Sequence, residues 1–134
     1  MYFVIYVFFM HYIADFIVQT EYQALNKSKS FKALSMHVLT YTVTLFIMVL
    51  PIVYFFKGYA YGLDHNKIIA TLLLSMIFAV YNGVFHFAVD FVTSKLVSYH
   101  FAKGDSRNAF KIIGWDQFLH ITILYVSYVY FLNF

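Results

Sequence analysis

Histidine and aspartate recur at a spacing of four residues in three apolar stretches of this chain, and a fourth stretch contributes one more histidine. The seven side chains are His11 and Asp15, His86 and Asp90, Asp116 and His120, and His37. Residues four apart lie on one face of a helix, so each pair forms a polar stripe on an otherwise apolar helix. Lipid cannot satisfy such stripes, and they are expected to face one another. Imidazole nitrogens and carboxylate oxygens bind divalent metals, so the pattern predicts a metal site.

The identity of the metal follows from the donor atoms. Three aspartates without countercharge would repel one another in a low-dielectric interior, and one or two divalent cations would neutralise them while binding the imidazoles. The chain has no cysteine, so the donors are nitrogen and oxygen without sulfur. We therefore expect zinc, with manganese or iron as alternatives. Taken alone, His37 or any single pair could instead make a hydrogen bond between helices, and only the joint pattern favours a metal.

Other polar side chains near these stretches have predicted roles in catalysis and substrate binding. An aspartate that does not bind the metal would act as the general base; we favour Asp15 and keep Asp116 as the alternative. Lys95 completes the candidate catalytic set, and either Lys27 or Lys95 would hold an anionic headgroup. The candidate substrate-binding side chains are Gln19, Lys27, Asn82 and Gln117.

The composition indicates a chain that is solvated by lipid. Of its 134 residues, 63% are hydrophobic, 23% are aromatic and 11% are charged, whereas a soluble domain carries about 25% charged residues. This composition excludes an intrinsically disordered chain and a nucleic-acid-binding module, and the absence of cysteine excludes a disulfide framework. The formal net charge of +3 is then expected to reflect membrane topology and lipid headgroups.

Four apolar segments are long enough to cross a bilayer, which takes about 20 helical residues. They cover residues 2–19, 31–56, 68–94 and 113–132. We expect an all-α polytopic membrane protein with a single domain over residues 1–134. Its fold would be a four-transmembrane-helix bundle with a short interfacial helix after the first span, because Thr20 and Gln23 match a capping box. The first span has neither a basic n-region nor a cleavage site, so we expect it to be retained.

The distribution of basic residues predicts the topology. The basic side chains of the first and third loops are Lys27, Lys29, Lys32, Lys103, Arg107 and Lys111. The positive-inside rule places both loops in the cytoplasm and both termini outside, in the inner (cytoplasmic) membrane. The seven histidines and aspartates of the predicted metal site then lie about 5 to 12 Å from the cytoplasmic ends of their spans, in one layer.

The loops themselves have predicted local structure. Gly104, Asp105 and Ser106 signal a turn in the third loop, and the third helix is expected to extend towards His100 before that turn. The second loop, residues 57–67, contains turn glycines and tyrosines typical of a membrane interface. His65 and His100 lie at loop positions and are not assigned to the site.

The ordered series of motifs resembles a family of small bacterial and phage membrane proteins that is described as a domain of unknown function. The series consists of H-x-x-A-D-F-x-x-Q from His11, Asn26-Lys27, His37, H-x-x-x-D from His86 with Lys95, and D-Q-x-x-H from Asp116. The resemblance covers nearly the whole chain. The family in turn looks like a distant relative of inner-membrane metal-dependent hydrolases, which are related to zinc phospholipase C and P1-type nucleases. The resemblance implies a membrane-embedded metal site and does not supply a substrate.

Three classes of function fit these observations. The leading hypothesis is a metal-dependent hydrolase acting on a lipid or phosphoester at the cytoplasmic membrane face, with the bilayer and a phospholipid or phosphoester as its partners. One alternative is a structural or interaction membrane protein, phage-encoded or bacterial, with a metal-stabilised core. The other is a divalent-cation or proton transporter. Transport is less favoured because residues 5–9, 47–51 and 72–74 offer no continuous polar lining on the outer side.

Overall fold

The structure, a computed structural model, describes residues 2–55 and 65–132. Within these residues the chain is helical and contains no strand, which confirms the all-α prediction. The helices are α1 (Tyr2–Tyr12), which continues as a π-helical turn over Ile13–Ile17, α2 (Glu21–Asn26), α3 (Phe31–Val53), α4 (His65–Ala102) and α5 (Ser106–Ser127), which continues as a π-helical segment over Tyr128–Leu132. The end of the predicted second span at residue 56 and most of the second loop lie outside the described residues.

Side-chain caps determine where the helices begin. Thr20 and Gln23 form the predicted capping box at the start of α2: the Gln23 backbone N–H donates to Thr20 Oγ1, and the Thr20 backbone N–H donates to Gln23 Oε1. Asp105 caps α5 by accepting from the Asn108 backbone N–H. The preceding Gly104 has a φ of 73°, a conformation that glycine adopts without strain. The predicted short helix and the predicted turn are both confirmed.

Two of the helices are long and apolar enough to cross a membrane. These are α3, with 23 residues, and α4, with 38 residues. At 1.5 Å per residue α4 is about 57 Å long, well beyond the roughly 30 Å hydrocarbon core of a bilayer. The apolar stretch Val4–Ile17 is shorter. Two of the four predicted spans therefore meet the criteria of length and composition.

The long helix α4 packs against both α3 and α5. Close approach to α3 occurs at Gly83, where a Cβ atom would collide with the Thr42 side chain. The buried side chains between the helices separate into two groups along the bundle. The apolar layer consists of Val7, Met10, Leu45, Val49, Phe78, Leu124 and Leu132. The polar layer, which lies next to it along the bundle, consists of His11, Asp15, His37, Tyr41, His86, Asp90, Asp116 and His120.

Candidate metal centre

The predicted histidines and aspartates do converge between the helices. His11 lies in the last turn of α1, and Asp15 lies in the π-helical turn that follows. Such turns interrupt α-helices mostly at functional sites, because they redirect the side chains that follow. The other helices supply the other members of the layer, and all seven residues of the predicted metal site are buried. Groups of three among them could hold a metal ion.

Four of these side chains, here called the primary ligand set, are Asp15, His37, His86 and Asp90. His37 Nε2 lies 3.0 Å from His86 Nε2, 3.1 Å from Asp15 Oδ1 and 3.3 Å from Asp90 Oδ2. His86 Nε2 lies 3.4 Å from Asp15 Oδ1 and 3.6 Å from Asp90 Oδ2. Ligand atoms bound tetrahedrally to zinc at about 2.0–2.1 Å are about 3.3 Å apart. These five distances therefore match the spacing of ligands around one ion.

Some buried polar atoms of the cluster lack a hydrogen-bond partner among the described residues. They include Asp15 Oδ1 and both ring nitrogens of His120. His37 and His86 likewise lack a partner at Nδ1, so ring stacking orients His86 instead: its ring lies 4.0 Å from the Tyr41 ring and 4.0 Å from the His120 ring. Burying an unpaired polar atom is costly, and a cation bound by the primary ligand set would satisfy Asp15 Oδ1.

The charge of the cluster also favours a cation. Lys27 Nζ donates to Asp90 Oδ2 at 2.8 Å. Burial alone would lower the pKa of Lys27, but the carboxylates of Asp90 and Asp15 outweigh burial and raise it above its ordinary value. Lys27 is therefore charged, and it faces the three carboxylates of the polar layer. With neutral histidines the cluster carries two more negative charges than positive ones, which one divalent cation would balance.

Gln117 connects three members of the polar layer. Its amide Nε2 donates to Asp15 Oδ2 at 3.2 Å and to Asp116 Oδ2 at 3.0 Å. Its Oε1 lies 3.1 Å from His11 Nε2, which acts as the donor in that pair. Asp116 also accepts from the Thr93 hydroxyl. Gln117 thus touches the cluster as predicted, and in this structure it contacts side chains that the sequence assigned to the metal.

A cleft of about 400 Å³ reaches the cluster from the end of the bundle formed by α2, α4 and α5. Asp15, Asp90 and Asp116 are among its lining residues, and so are Gln19 and Lys27. A small polar molecule can therefore approach the carboxylates through this cleft, past the ammonium group of Lys27. Gln19 Oε1 is buried there without a hydrogen-bond partner among the described residues.

Two predicted site residues lie away from the cluster. Lys95 is exposed, with its Nζ 3.4 Å from the centre of the Phe91 ring, and it does not line the cleft. Asn82 is buried one turn before His86 on α4, where it donates to Ser127 Oγ and to the Phe78 carbonyl. No contact in the structure supports the catalytic role predicted for Lys95 or the substrate-binding role predicted for Asn82.

The sequence interpretation assigned no role to two residues that contact the cluster. The Tyr41 hydroxyl lies 3.3 Å from His11 Nδ1, and Thr93 donates to Asp116. Both had a signal in the sequence: Tyr41 follows His37 by four residues and Thr93 follows Asp90 by three, so each shares a helix face with a predicted ligand. The two histidines left unassigned stay outside the cluster; His65 begins α4, and His100 pairs with Asp105 at 2.9 Å.

Comparison with known proteins supplies a family and no function. Among curated proteins and among solved structures, none matches the chain. The distant resemblance to metal-dependent hydrolases therefore has no matching relative to support it. Residues 3–134 match the family described as "Protein of unknown function (DUF3307)". That match covers nearly all of the sequence, and the chain belongs to this family.

Proposed function

We propose that the chain is a four-span membrane protein that binds a divalent cation in its polar layer and hydrolyses a lipid or another phosphoester at the cytoplasmic membrane face. The observation that carries this proposal is the spacing of the primary ligand set, with ligand atoms 3.0–3.6 Å apart. Zinc is the first choice because the spacing suits a tetrahedral ion with nitrogen and oxygen ligands; manganese and iron are the alternatives.

The outer surface supports four spans rather than two. Large apolar side chains on α5 and the segment after it face outward, with exposed fractions of 64% for Trp115 and 81% for Tyr130. On α1, Ile5 is 61% exposed. Soluble proteins seldom expose apolar surface on this scale, whereas the lipid-facing side of a membrane helix requires it. The first and last helices thus expose large apolar side chains, as α3 and α4 do.

The chain's own residues supply binding and proton transfer in this proposal. When bound, a divalent cation supplies Lewis-acid chemistry that polarises a phosphoryl oxygen and makes water a better nucleophile. Lys27, at the wall of the cleft, binds the anionic phosphate. The water oxygen bonds to phosphorus as Asp116 accepts its proton, the bond from phosphorus to the leaving-group oxygen breaks, and Asp116 gives the proton to the departing oxygen. Gln117 orients the Asp116 carboxylate through its amide N–H.

The geometry favours Asp116 over Asp15 as the base, which reverses the preference drawn from the sequence. Asp15 Oδ1 lies within 3.4 Å of two imidazole nitrogens, the distance expected between ligands of one ion. Asp116 lies outside the primary ligand set and lines the cleft, and its Oδ2 is 3.6 Å from His120 Nδ1. A base must reach the proton that it removes, and of the three carboxylates that line the cleft the Asp116 side chain is the most exposed, at 12% against 3% for Asp15.

Transport is less well supported than hydrolysis. Next to the polar layer, the interior of the bundle is filled by the apolar layer, in which Leu45, Phe78 and Leu124 are completely buried. An ion leaving the cluster in that direction would lose its ligands without finding replacements among the described side chains. A purely structural role for the metal is the other alternative, and the activity assay below separates it from catalysis.

The hydrolase proposal is tested with detergent-purified protein loaded with zinc or manganese. Phospholipid vesicles, a soluble phosphodiester and a phosphomonoester are the substrates. We expect wild type to hydrolyse at least one of them, Asp116→Asn to keep its metal and lose turnover, and Asp90→Ala to lose both. Lys95→Met is the matched control, expected to keep both because Lys95 lies outside the cleft. Metal-loaded protein that is inactive on every substrate would contradict hydrolysis and favour the structural role.

The four-span topology has its own test. The chain has no cysteine, so single cysteines can be placed without background. Cysteines at Ser28 and Ser106 should react only with a reagent on the cytoplasmic side, and one at Gly62, outside the described residues, only with a reagent on the other side. Labelling of Ser28 and Gly62 from the same side would show that the number of spans is wrong.

A further inference from the structure

His120 is a buried histidine that the primary ligand set does not use. Its exposed fraction is 3%, and both of its ring nitrogens lack a hydrogen-bond partner among the described residues. The nearest acceptors are too far for a hydrogen bond: Nε2 is 3.9 Å from Asp90 Oδ1, and Nδ1 is 3.6 Å from Asp116 Oδ2. An imidazole that is buried in this way loses its hydration without compensation, which points to a missing partner.

The carboxylates of Asp15 and Asp90 each direct one oxygen towards His37 and His86 and the other oxygen towards a different histidine. Asp15 presents Oδ1 to His37 and His86, and its Oδ2 lies 3.8 Å from His11 Nε2. Asp90 presents Oδ2 to the same two histidines, while its Oδ1 faces His120. Asp90 Oδ1 is therefore left for a second set of ligands, and Asp15 Oδ2 would join it by exchanging the hydrogen bond that it accepts from Gln117 Nε2 at 3.2 Å.

We infer that His11, His120, Asp15 Oδ2 and Asp90 Oδ1 form a second divalent-cation site, so that both carboxylates bridge two ions and the substrate is an anionic phosphate ester. The inference rests on the proposed function, since it adds a site beside the primary ligand set. Ligand atoms of His11, Asp15 and His120 lie within 4.8 Å of one another, and so do those of His86, Asp90 and His120.

The hydrogen bonds of Gln117 do not satisfy all the buried polar atoms that a cation would satisfy. The amide accepts from His11 Nε2 and donates to Asp15 Oδ2, so a cation bound there would replace both hydrogen bonds and His11 Nε2 would release its proton. Gln117 does not reach His120, whose nitrogens lack a partner among the described residues. A cation bound by one His120 nitrogen would satisfy that nitrogen, which the described side chains leave unpaired.

The charge of a two-ion centre identifies the class of substrate. One divalent cation balances the three carboxylates and Lys27, as described above. A second one gives the cluster an excess of two positive charges beside the Lys27 ammonium, which a phosphate ester anion in the cleft would balance. Pairs of divalent ions also occur where both the attacking and the leaving oxygen of a phosphoryl group need stabilisation. A neutral carboxylic ester would leave this charge uncompensated.

Manganese binding tests the second site without an activity measurement. Protein stripped by a chelator is titrated with Mn²⁺, bound ions are counted, and the electron paramagnetic resonance spectrum shows whether they interact. We expect wild type to bind two Mn²⁺ with the spectrum of a magnetically coupled pair. His120→Ala should bind one Mn²⁺ with the spectrum of an isolated ion. His100→Ala, which alters a histidine outside the cluster, should match wild type.

The outcomes separate this inference from the proposed function. One Mn²⁺ in wild type, with no change in His120→Ala, would overturn the second site and leave the primary site intact. No bound Mn²⁺ in wild type would overturn both. Two uncoupled ions that persist in His120→Ala would place the second ion elsewhere and also overturn the inference. The wild-type result does not depend on a variant that folds, and His120→Gln provides a polar replacement of similar size.

Inorganic phosphate then tests the substrate class. Added to wild type that holds two Mn²⁺, it should alter the coupled spectrum, and the effect should need a higher phosphate concentration in Lys27→Met. A spectrum that does not respond to phosphate in wild type would overturn the assignment to phosphate esters.

Discussion

The polar and apolar layers of the bundle are buried to a similar degree but are stabilised in different ways. In the apolar layer, Leu45, Val49 and Phe78 fill the space between helices, and packing alone satisfies them. In the polar layer, by contrast, some buried nitrogen and oxygen atoms have no partner in the part of the chain that the structure describes, and three carboxylates face the single ammonium group of Lys27. A fold selected for stability alone would continue the apolar layer. The difference is the reason for our proposal that the polar layer binds a ligand, whereas the apolar layer is filled by side chains alone.

The largest expected effect is that of removing Asp90. Asp90→Ala deletes a carboxylate that contacts Lys27, His37 and His86, and leaves the Lys27 ammonium without its partner. We expect a loss of about 3–5 kcal/mol in the free energy of unfolding together with loss of bound metal. Thermal melting in detergent, with and without added metal, measures both. Glu21→Gln, on the exposed face of α2, is the control, and an equal loss in that variant would contradict the explanation.

A change in the apolar layer should separate stability from metal binding. Leu45→Ala opens a cavity at a completely buried position. Lipid is as apolar as leucine, so the cavity itself accounts for most of the cost, and we expect about 2 kcal/mol, at the low end for such substitutions. Metal content should match wild type when the protein is assayed below its melting temperature. Loss of metal without loss of stability would show that the two layers are not distinct.

The close contact between α3 and α4 should produce an effect of comparable size. In Gly83→Ala the new methyl group meets the Thr42 side chain, which is stiff at its β-branch and bonded through its hydroxyl to the Val38 carbonyl. We expect about 1–3 kcal/mol of destabilisation from overpacking. Gly114→Ala is the matched control, because a Cβ there meets nothing within 4 Å and alanine favours the helix. Similar melting temperatures for the two variants would contradict the close contact.

The smallest expected effect lies outside both layers, at the cap of α5. The Asn108 side-chain amide and backbone N–H, together with the His100 ring, lower the pKa of Asp105 below its ordinary value. Because the folded state favours the charged carboxylate, the stabilisation is present above the unfolded pKa, about 3.9, and is lost as pH falls through the folded pKa. We expect the difference in melting temperature between wild type and Asp105→Asn to shrink with acidification. A constant difference from pH 6 to pH 3 would exclude this titration.

The sequence predicted the two layers to the extent that spacing determines them. Positions four apart share a helix face whatever the neighbouring helices do, so the pairing of His11 with Asp15 and of His86 with Asp90 was predictable from spacing. That the two pairs face each other was predicted from the inability of lipid to satisfy them. Lys95 shows the limit: it is five residues after Asp90, about 140° around α4, and therefore lies away from the cluster. The capping box at Thr20 was predictable for a related reason, since its hydrogen bonds are local.

Roles that depend on contacts between helices could not be predicted. Asn82 lies on the same stripe as His86, but one turn closer to the apolar layer, where Ser127 of α5 provides its partner. The proposed distinction between Asp15 as ligand and Asp116 as base depends on the rotation of α1 and α5 relative to α3 and α4, which spacing does not fix. The stacking of His86 between Tyr41 and His120 has the same origin.

Metal content tests the central claim most directly. Wild type, His86→Ala and His100→Ala are purified in detergent without chelators, and bound metal is measured by mass spectrometry against protein concentration. His86 belongs to the primary ligand set, whereas His100 bonds only to Asp105 near the end of α4. We expect at least one equivalent of zinc, manganese or iron in wild type and His100→Ala, and a loss of most of it in His86→Ala. Wild-type protein that folds without metal, or a His86→Ala variant that retains all of it, would contradict the account.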